Sequence, residues 1–277
     1  MKSLSKCDVL LVGSSVAQGT GSTGPMWNPW QNPDGVGYAE LLQETLSTRL
    51  GLSFCNAAVG GDNTVRCLKM LCLALPICRP RWVIVGLSMG NEGLPWARTA
   101  ADAERQADSY IAGVRQIAAT AVAAGARVIV GGVYPHGKYK PHHLHALRRA
   151  DTEVRQGGLE VVDFLSSLDS GSGRWRDGTE ADFAHPNAQG HQHMFEAFSA
   201  RLPQLFSEAS DAGSTDRETS VSIGSAANAH SGELHEQANL RKPKPKPKPR
   251  PRQQTEMAPL LPSHEEGKSY GARKYDR

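Results

Sequence analysis

The sequence predicts an α/β protein in which helices cover both faces of a parallel five-stranded sheet, giving three layers. Short apolar runs such as Val9–Val12 and Trp82–Val85 lack the strict alternation of a half-exposed strand, so they read as strands buried on both sides. Longer stretches of helical character separate these runs, which calls for crossover connections and a parallel sheet. Glycines stand where two of those stretches should end, at Gly51 and Gly125, as helix C-caps require.

In chain order, a strand is expected at Cys7–Val12 and a helix at Tyr38–Leu50, closed by Gly51. A strand at Leu52–Asn56, a helix at Thr64–Leu75 and a strand at Trp82–Leu87 follow. Next come a helix at Ala101–Ala124, a strand at Arg127–Val133, a helix at Pro141–Gln156 and a strand at Leu159–Val162. The last helix is expected from Pro186 to Phe206, with Met194, Phe195, Phe198, Leu202 and Leu205 at roughly helical spacing to seal the sheet.

The chain has 277 residues, of which 39% are hydrophobic, and the apolar deficit lies toward the C-terminus. Beyond about Ser207 the composition turns to Ser, Ala, Gly, Pro and charge, which buries too little apolar surface to offset the entropy of ordering. Residues 1–206 are therefore expected to form one folded domain and 207–277 a disordered tail. Within the tail, Arg241–Arg252 alternates seven cationic side chains with five prolines. Such a run favours stiff polyproline II and reads as a solvated extension, the alternative being docking on nucleic acid, anionic lipid head groups or an acidic protein.

A net charge of +3 is too small for the globular part to bind nucleic acid by charge alone. No segment approaches a membrane span, and the Val9–Val12 run is far shorter than a signal peptide's apolar stretch, so a soluble, cytoplasmic protein is expected. Five cysteines, Cys7, Cys55, Cys67, Cys72 and Cys78, form no C-x-x-C pair and read as free thiols, mostly buried.

The chemistry-bearing residues lie at both ends of the domain. Val9–Val12 breaks into Gly13-Ser14-Ser15, and near the end the chain reads Asp182-Phe183-Ala184-His185-Pro186-Asn187. Serine becomes a nucleophile at neutral pH only beside an imidazole that takes its proton, and that imidazole needs a carboxylate to fix its tautomer. The D-x-x-H spacing lets one tight turn place the carboxylate under the ring, while Pro186 biases His185 toward extended backbone. Between these ends, Val59-Gly60-Gly61-Asp62 and Met89-Gly90-Asn91-Glu92 supply donors for an oxyanion.

This four-part order resembles the SGNH (GDSL-type) serine hydrolases over roughly Cys7 to Phe206, and Asn56-Ala57-Ala58-Val59-Gly60-Gly61 resembles the segment before the family's oxyanion glycine. The resemblance implies Ser15 as nucleophile, Asp182 and His185 as acid and base, and Gly61 and Asn91 as oxyanion donors. Ser14 stands where the family has an aspartate that is not itself catalytic, and Met89 where it has a glycine two residues before the asparagine.

Other motifs compete. Gly86-Leu87-Ser88-Met89-Gly90 fits the nucleophile elbow of α/β-hydrolases, with Ser88 as nucleophile, Asp163 as acid and His185 as base. The elbow should lead straight into a helix, and Gly93-Leu94-Pro95 interrupts that start. Gly19-Thr20-Gly21-Ser22-Thr23-Gly24 matches a dinucleotide fingerprint but starts several residues after its strand and leads into prolines, so it reads as a flexible loop, with Trp27 and Trp30 as candidate cleft residues. His136, His142, His143 and His145 lack a Cys, Asp or Glu at ligand spacing and read as a solvated helix start rather than a metal site. His191 and His193 read as surface or packing residues, and Tyr134–Tyr139 as a candidate substrate loop.

The reading that unites these observations is a flavodoxin-like, three-layer domain that hydrolyses a carboxylic ester of a small molecule through an acyl-enzyme, with no cofactor or metal. Its alternative is a catalytically idle protein on the same fold that holds a ligand or a polyanion.

Overall fold

The computed structural model describes residues 4–28, 31, 32 and 34–207. The elements are β1 (Val9–Gly13), α1 (Tyr38–Leu50), β2 (Phe54–Asn56), α2 (Thr64–Cys78), β3 (Trp82–Gly86), a 3-10 turn (Leu94–Trp96), α3 (Ala100–Ala123), β4 (Arg127–Gly131), α4 (Pro141–Gln156), β5 (Glu160–Val162), α5 (Leu165–Leu168), α6 (Ala188–Ser199) and α7 (Leu202–Leu205). The strands pair in parallel in the order β2-β1-β3-β4-β5. The predicted fold class is the one observed. Residues 208–277, and with them the basic run, lie outside the described residues, as does Trp30.

Successive side chains of each strand serve opposite cores, which is why the strands read as unbroken apolar runs. Val9, Leu11, Ile84, Ile129 and Val162 pack with Tyr38, Leu42, Met194 and Phe198 of α1 and α6. Leu10, Val12, Val83, Val85, Val128 and Val130 pack with Leu71, Val114, Ile117 and Leu147 of α2, α3 and α4. Burial of each such aliphatic side chain is worth roughly 1.5–3 kcal/mol, so a charge on either face of β1 or β3 would be costly.

The register sets the working edge. Gly13 pairs with Gly86 and Gly86 with Gly131, so the three central strands end level. The strand order reverses between β2 and β3 around β1, and the crevice beyond the carboxyl ends at such a switch point is where open α/β sheets bind ligands.

Two helices differ most from expectation. α2 passes through Pro76 to Cys78, where Arg79 in the left-handed region (φ 48°) stops it. Pro76 forfeits only the bond to the carbonyl of Cys72, an exposed residue that water can serve, while Cys78 at the far end is fully buried. The final helix is shorter and divided. It starts at Ala188 because the Asn187 side chain accepts the Gly190 N–H at 3.0 Å, and it breaks after Ser199 because Pro203 has no N–H for the Ser199 carbonyl. None of the described helices is long and apolar enough to cross a membrane.

Candidate active site

Ser15 leaves the end of β1, one residue past Ser14, whose N–H is held by the Gly86 carbonyl of β3 at 2.9 Å. That bond continues the sheet pairing by one step and turns Ser15 into the crevice. Across from it, Ala181 and Asp182 donate their N–H groups back to the His185 carbonyl at 2.9 and 3.4 Å, closing the D-x-x-H segment into a tight turn.

The turn does what the spacing requires. His185 Nε2 lies 3.0 Å from Ser15 Oγ, and His185 Nδ1 lies 2.9 and 3.0 Å from the two carboxylate oxygens of Asp182. A carboxylate only accepts, so the proton sits on Nδ1 and Nε2 is left as acceptor for the Ser15 O–H. Asp182 and His185 are both buried, at 6% exposure each. Burial pushes the Asp182 carboxyl upward, but the His185 imidazole, the Ala184 N–H at 2.8 Å and the Met26 N–H at 3.4 Å outweigh it and hold its pKa below the usual value. Asp182 is therefore a fixed anion under the ring.

Gly61 has φ 81°, a backbone that glycine adopts at little cost, and it follows the loop from β2. Val59 N–H to the Gly13 carbonyl at 3.0 Å and Asn56 Nδ2 to the Ala17 carbonyl at 2.9 Å lash that loop to the turn carrying Ser15. Among the described residues, neither the Ser15 nor the Gly61 N–H has an acceptor. Asn91 sits in the turn after β3 and spends one N–H of its side-chain amide on the Asp62 carbonyl at 3.0 Å, leaving the other for a ligand. Glu92, beside it, accepts the Thr64 N–H at the start of α2 at 2.5 Å, and burial raises its carboxyl above the ordinary value. Met89, where the resembled family has glycine, is buried in the core and leaves the Ser88–Asn91 turn closed at 3.2 Å.

Ser15, Gly61, Asn91 and His185 line one cavity of about 580 Å³, whose walls include Gln18, Met26, Trp96, Tyr134, His136 and Phe183. Lys138 Nζ caps its rim, 3.8 Å from the Phe183 ring centroid and 4.5 Å from that of Trp96.

The rival nucleophile is differently placed. Ser88 Oγ lines the same cavity but accepts the Gly90 N–H at 2.9 Å, and Asp163 is held by Ser166 and by Arg155 at 3.2 Å, away from His185. The chain after Ser88 forms a turn and a 3-10 segment, so no elbow helix follows.

Several neighbours correct the sequence reading. The Gly19–Gly24 loop packs on the site: a Cβ on Gly21 (φ 99°) would lie 2.2 Å from the Pro186 carbonyl and 2.9 Å from His185 Cβ. Gly24 is as tight, a Cβ there falling 2.4 Å from the Asn28 carbonyl, so these two glycines serve close approach rather than looseness. The histidine group is not a solvated helix start. His143 is fully buried against the Ala97 carbonyl at 2.9 Å, and His136 is buried at the cavity wall, while His145 is exposed and meets Glu104 at 2.8 Å. Burial, reinforced by Lys138, drops the His136 pKa to about 4, and its Nδ1 accepts the Lys138 N–H at 3.1 Å. Trp27 is 73% exposed and lines a neighbouring cavity with Phe183, while Met26 takes the place beside Ser15. Met26 and Trp96 belong to no motif, since their places follow from turns set by distant contacts.

A parallel α/β sheet with serine, histidine and aspartate in line beside open N–H donors at one strand edge is the frame of a hydrolase. The sequence profile of the GDSL-like lipase/acylhydrolase family matches residues 11–193, and the chain belongs to that family. Among solved structures it is similar to TesA, at 23% identity over 71% of this chain and 98% of that one, with a TM-score of 0.53. It is also similar to the lipase Lip_vut3 from a goat rumen metagenome, at 12% identity over 72% and 97% of the two chains, with a TM-score of 0.56. Axe2, an acetylxylan esterase from Geobacillus stearothermophilus, aligns at 16% identity over 75% and 98%, with a TM-score of 0.50. No curated protein sequence matches the chain.

Proposed function

We propose that the protein hydrolyses a carboxylic ester, with an acyl or acetyl group carried on Ser15 as the intermediate. The observation that carries this reading is the unbroken line from Ser15 Oγ through His185 at 3.0 Å to Asp182 at 2.9 Å, beside two amide N–H groups with no acceptor among the described residues.

In this reading Ser15 Oγ bonds to the acyl carbon as its proton passes to His185 Nε2. Asp182 stabilises the imidazolium through Nδ1 without taking the proton. The negative charge that develops on the carbonyl oxygen is met by the Ser15 and Gly61 N–H groups and the Asn91 amide. Collapse expels the alcohol, which takes the proton from His185. Water then repeats the sequence on the acyl-enzyme and frees Ser15. Each oxyanion donor contributes on the order of 10²–10³ in rate.

The deciding experiment is labelling with a fluorophosphonate probe. Wild type should be labelled, Ser15→Ala should not, and Ser88→Ala should retain most of the signal. Labelling that survives Ser15→Ala and vanishes in Ser88→Ala would move the chemistry to the rival serine. A folded wild type that never labels would favour a ligand-holding protein without turnover.

A further inference from the structure

Three of the five cysteines, distant in sequence, converge at the other end of the sheet. Cys7 lies just before β1, Cys55 within β2 and Cys78 at the last residue of α2. Their Sγ atoms all lie within 4.8 Å of one another. The sheet dictates the meeting. Cys55 of β2 reaches the chain ahead of β1, its thiol donating to the Ser5 carbonyl at 3.4 Å, and the Cys7 N–H is held by the Cys78 carbonyl at 3.1 Å, so three segments meet at one point. Cys7 and Cys78 are buried, while Cys55 is half-buried, which gives the cluster one side reachable from solvent.

We propose that Cys7, Cys55 and Cys78 form a three-thiolate site for a thiophilic d10 metal ion of the zinc–cadmium class, with solvent as the fourth ligand. Zinc–sulfur bonds of about 2.3 Å in a tetrahedron place sulfurs about 3.8 Å apart, so the thiols need to close by no more than about 1 Å. On binding, each S–H releases its proton to solvent as the sulfur–metal bond forms, and no oxidant is involved.

The site is separate from ester chemistry. Cys7 lies just before β1 and Gly13 at its far end, roughly 20 Å apart at an extended chain's rise of about 3.3 Å per residue. Its test needs no substrate. The reduced full-length protein should bind one equivalent of Cd²⁺ with a thiolate-to-metal charge-transfer band in the ultraviolet, and Cd²⁺ should displace Zn²⁺ bound beforehand. The thermal midpoint should rise with metal. Cys55→Ser and Cys78→Ser should each lose the band, while Cys72→Ser, at an exposed position, should keep it. A band that survives Cys55→Ser, or no band in folded reduced wild type, would overturn the proposal. So would intact mass after purification without reductant that shows two hydrogens lost between two of these cysteines, together with no metal uptake after reduction, because that marks a redox pair instead.

Discussion

The side-chain amide of Asn91 donates to the Asp62 carbonyl at 3.0 Å, so the loop after β3 and the loop after β2 are fastened together before any substrate arrives. Glu92 adds a second clasp, through the Thr64 N–H at 2.5 Å. Preorganisation of this kind is what makes oxyanion donors effective, since they need not reorient as charge develops. Asn91→Ala should lower kcat on a short p-nitrophenyl ester by about 10²–10³-fold with little change in KM. Glu92→Gln keeps an acceptor for Thr64 and should retain most activity. Glu92→Ala removes it and should lower both kcat and the thermal midpoint. Equal kinetics for all three variants would mean that the clasp has no part in turnover.

Asp182 and His185 should be separable by kinetics. His185→Ala removes the proton acceptor and should abolish nearly all turnover. Asp182→Asn keeps the size of the side chain but removes the anion, and should cost on the order of 10⁴-fold in kcat. Both variants should fold, as circular dichroism would check. An Asp182→Asn enzyme within about tenfold of wild type would exclude Asp182 from the relay.

Acid should destabilise the fold through His191. This residue is fully buried, accepts the Tyr38 N–H on Nδ1 at 3.3 Å and donates from Nε2 to the Thr20 carbonyl at 3.1 Å. Burial pushes its pKa down to about 4, from an ordinary value of 6.5. Between those values the unfolded chain binds a proton that the folded protein excludes, so stability falls as pH drops through that window and is fully present above it. His136, with its pKa pushed down to about 4 by burial, acts in the same direction. Urea midpoints measured from neutral pH to about pH 4 should decline, and His191→Gln should flatten part of that slope. An unchanged slope in the variant would assign the acid sensitivity elsewhere.

Truncation after Ser207 should leave esterase turnover and thermal stability nearly unchanged, because Met194, Phe198, Leu202 and Leu205 are buried and already close the core over the sheet. Binding to heparin, DNA or anionic vesicles should weaken sharply, and in the full chain it should fall steeply with salt. Loss of folding on truncation would make the tail structural. Unaltered polyanion affinity would make Arg241–Arg252 a solvated extension.

Much of the architecture is legible in local pattern. Val83–Val85 and Val128–Val130 announce strands because both faces are buried, and Gly51 marks the end of α1 with φ 66°. The turn at Asp182–His185 is legible because acid and base are three residues apart. What escapes local pattern is long-range. The continuation of α2 past Pro76 depends on the burial of Cys78, and the place of Met26 depends on a hydrogen bond to Asp182, 156 residues away. The burial of His136 and His143 has the same origin. Polar residue types suggest exposure, yet the Gly173 and Ala97 carbonyls draw these residues in through the His136 backbone N–H and the His143 ring. The meeting of Cys7, Cys55 and Cys78 depends on the pairing of β1 with β2 and on the bond from the Cys7 N–H to the Cys78 carbonyl at the end of α2, which no spacing in the sequence encodes.

Because Asp182 and His185 belong to one hydrogen-bonded turn, the triad consists of two mechanical parts rather than three. A shift of the turn leaves the acid–base distance intact and is felt at one contact, the 3.0 Å approach of His185 Nε2 to Ser15 Oγ. Under the proposed mechanism, activity would gauge the gap between two bodies, the sheet edge and the turn. The Gly21 contact with the Pro186 carbonyl and the Met26 bond to Asp182 are the shims that set that gap. On warming, such a machine should go out of alignment before it comes apart, so turnover of a short ester should fade at a temperature where circular dichroism still shows the sheet whole.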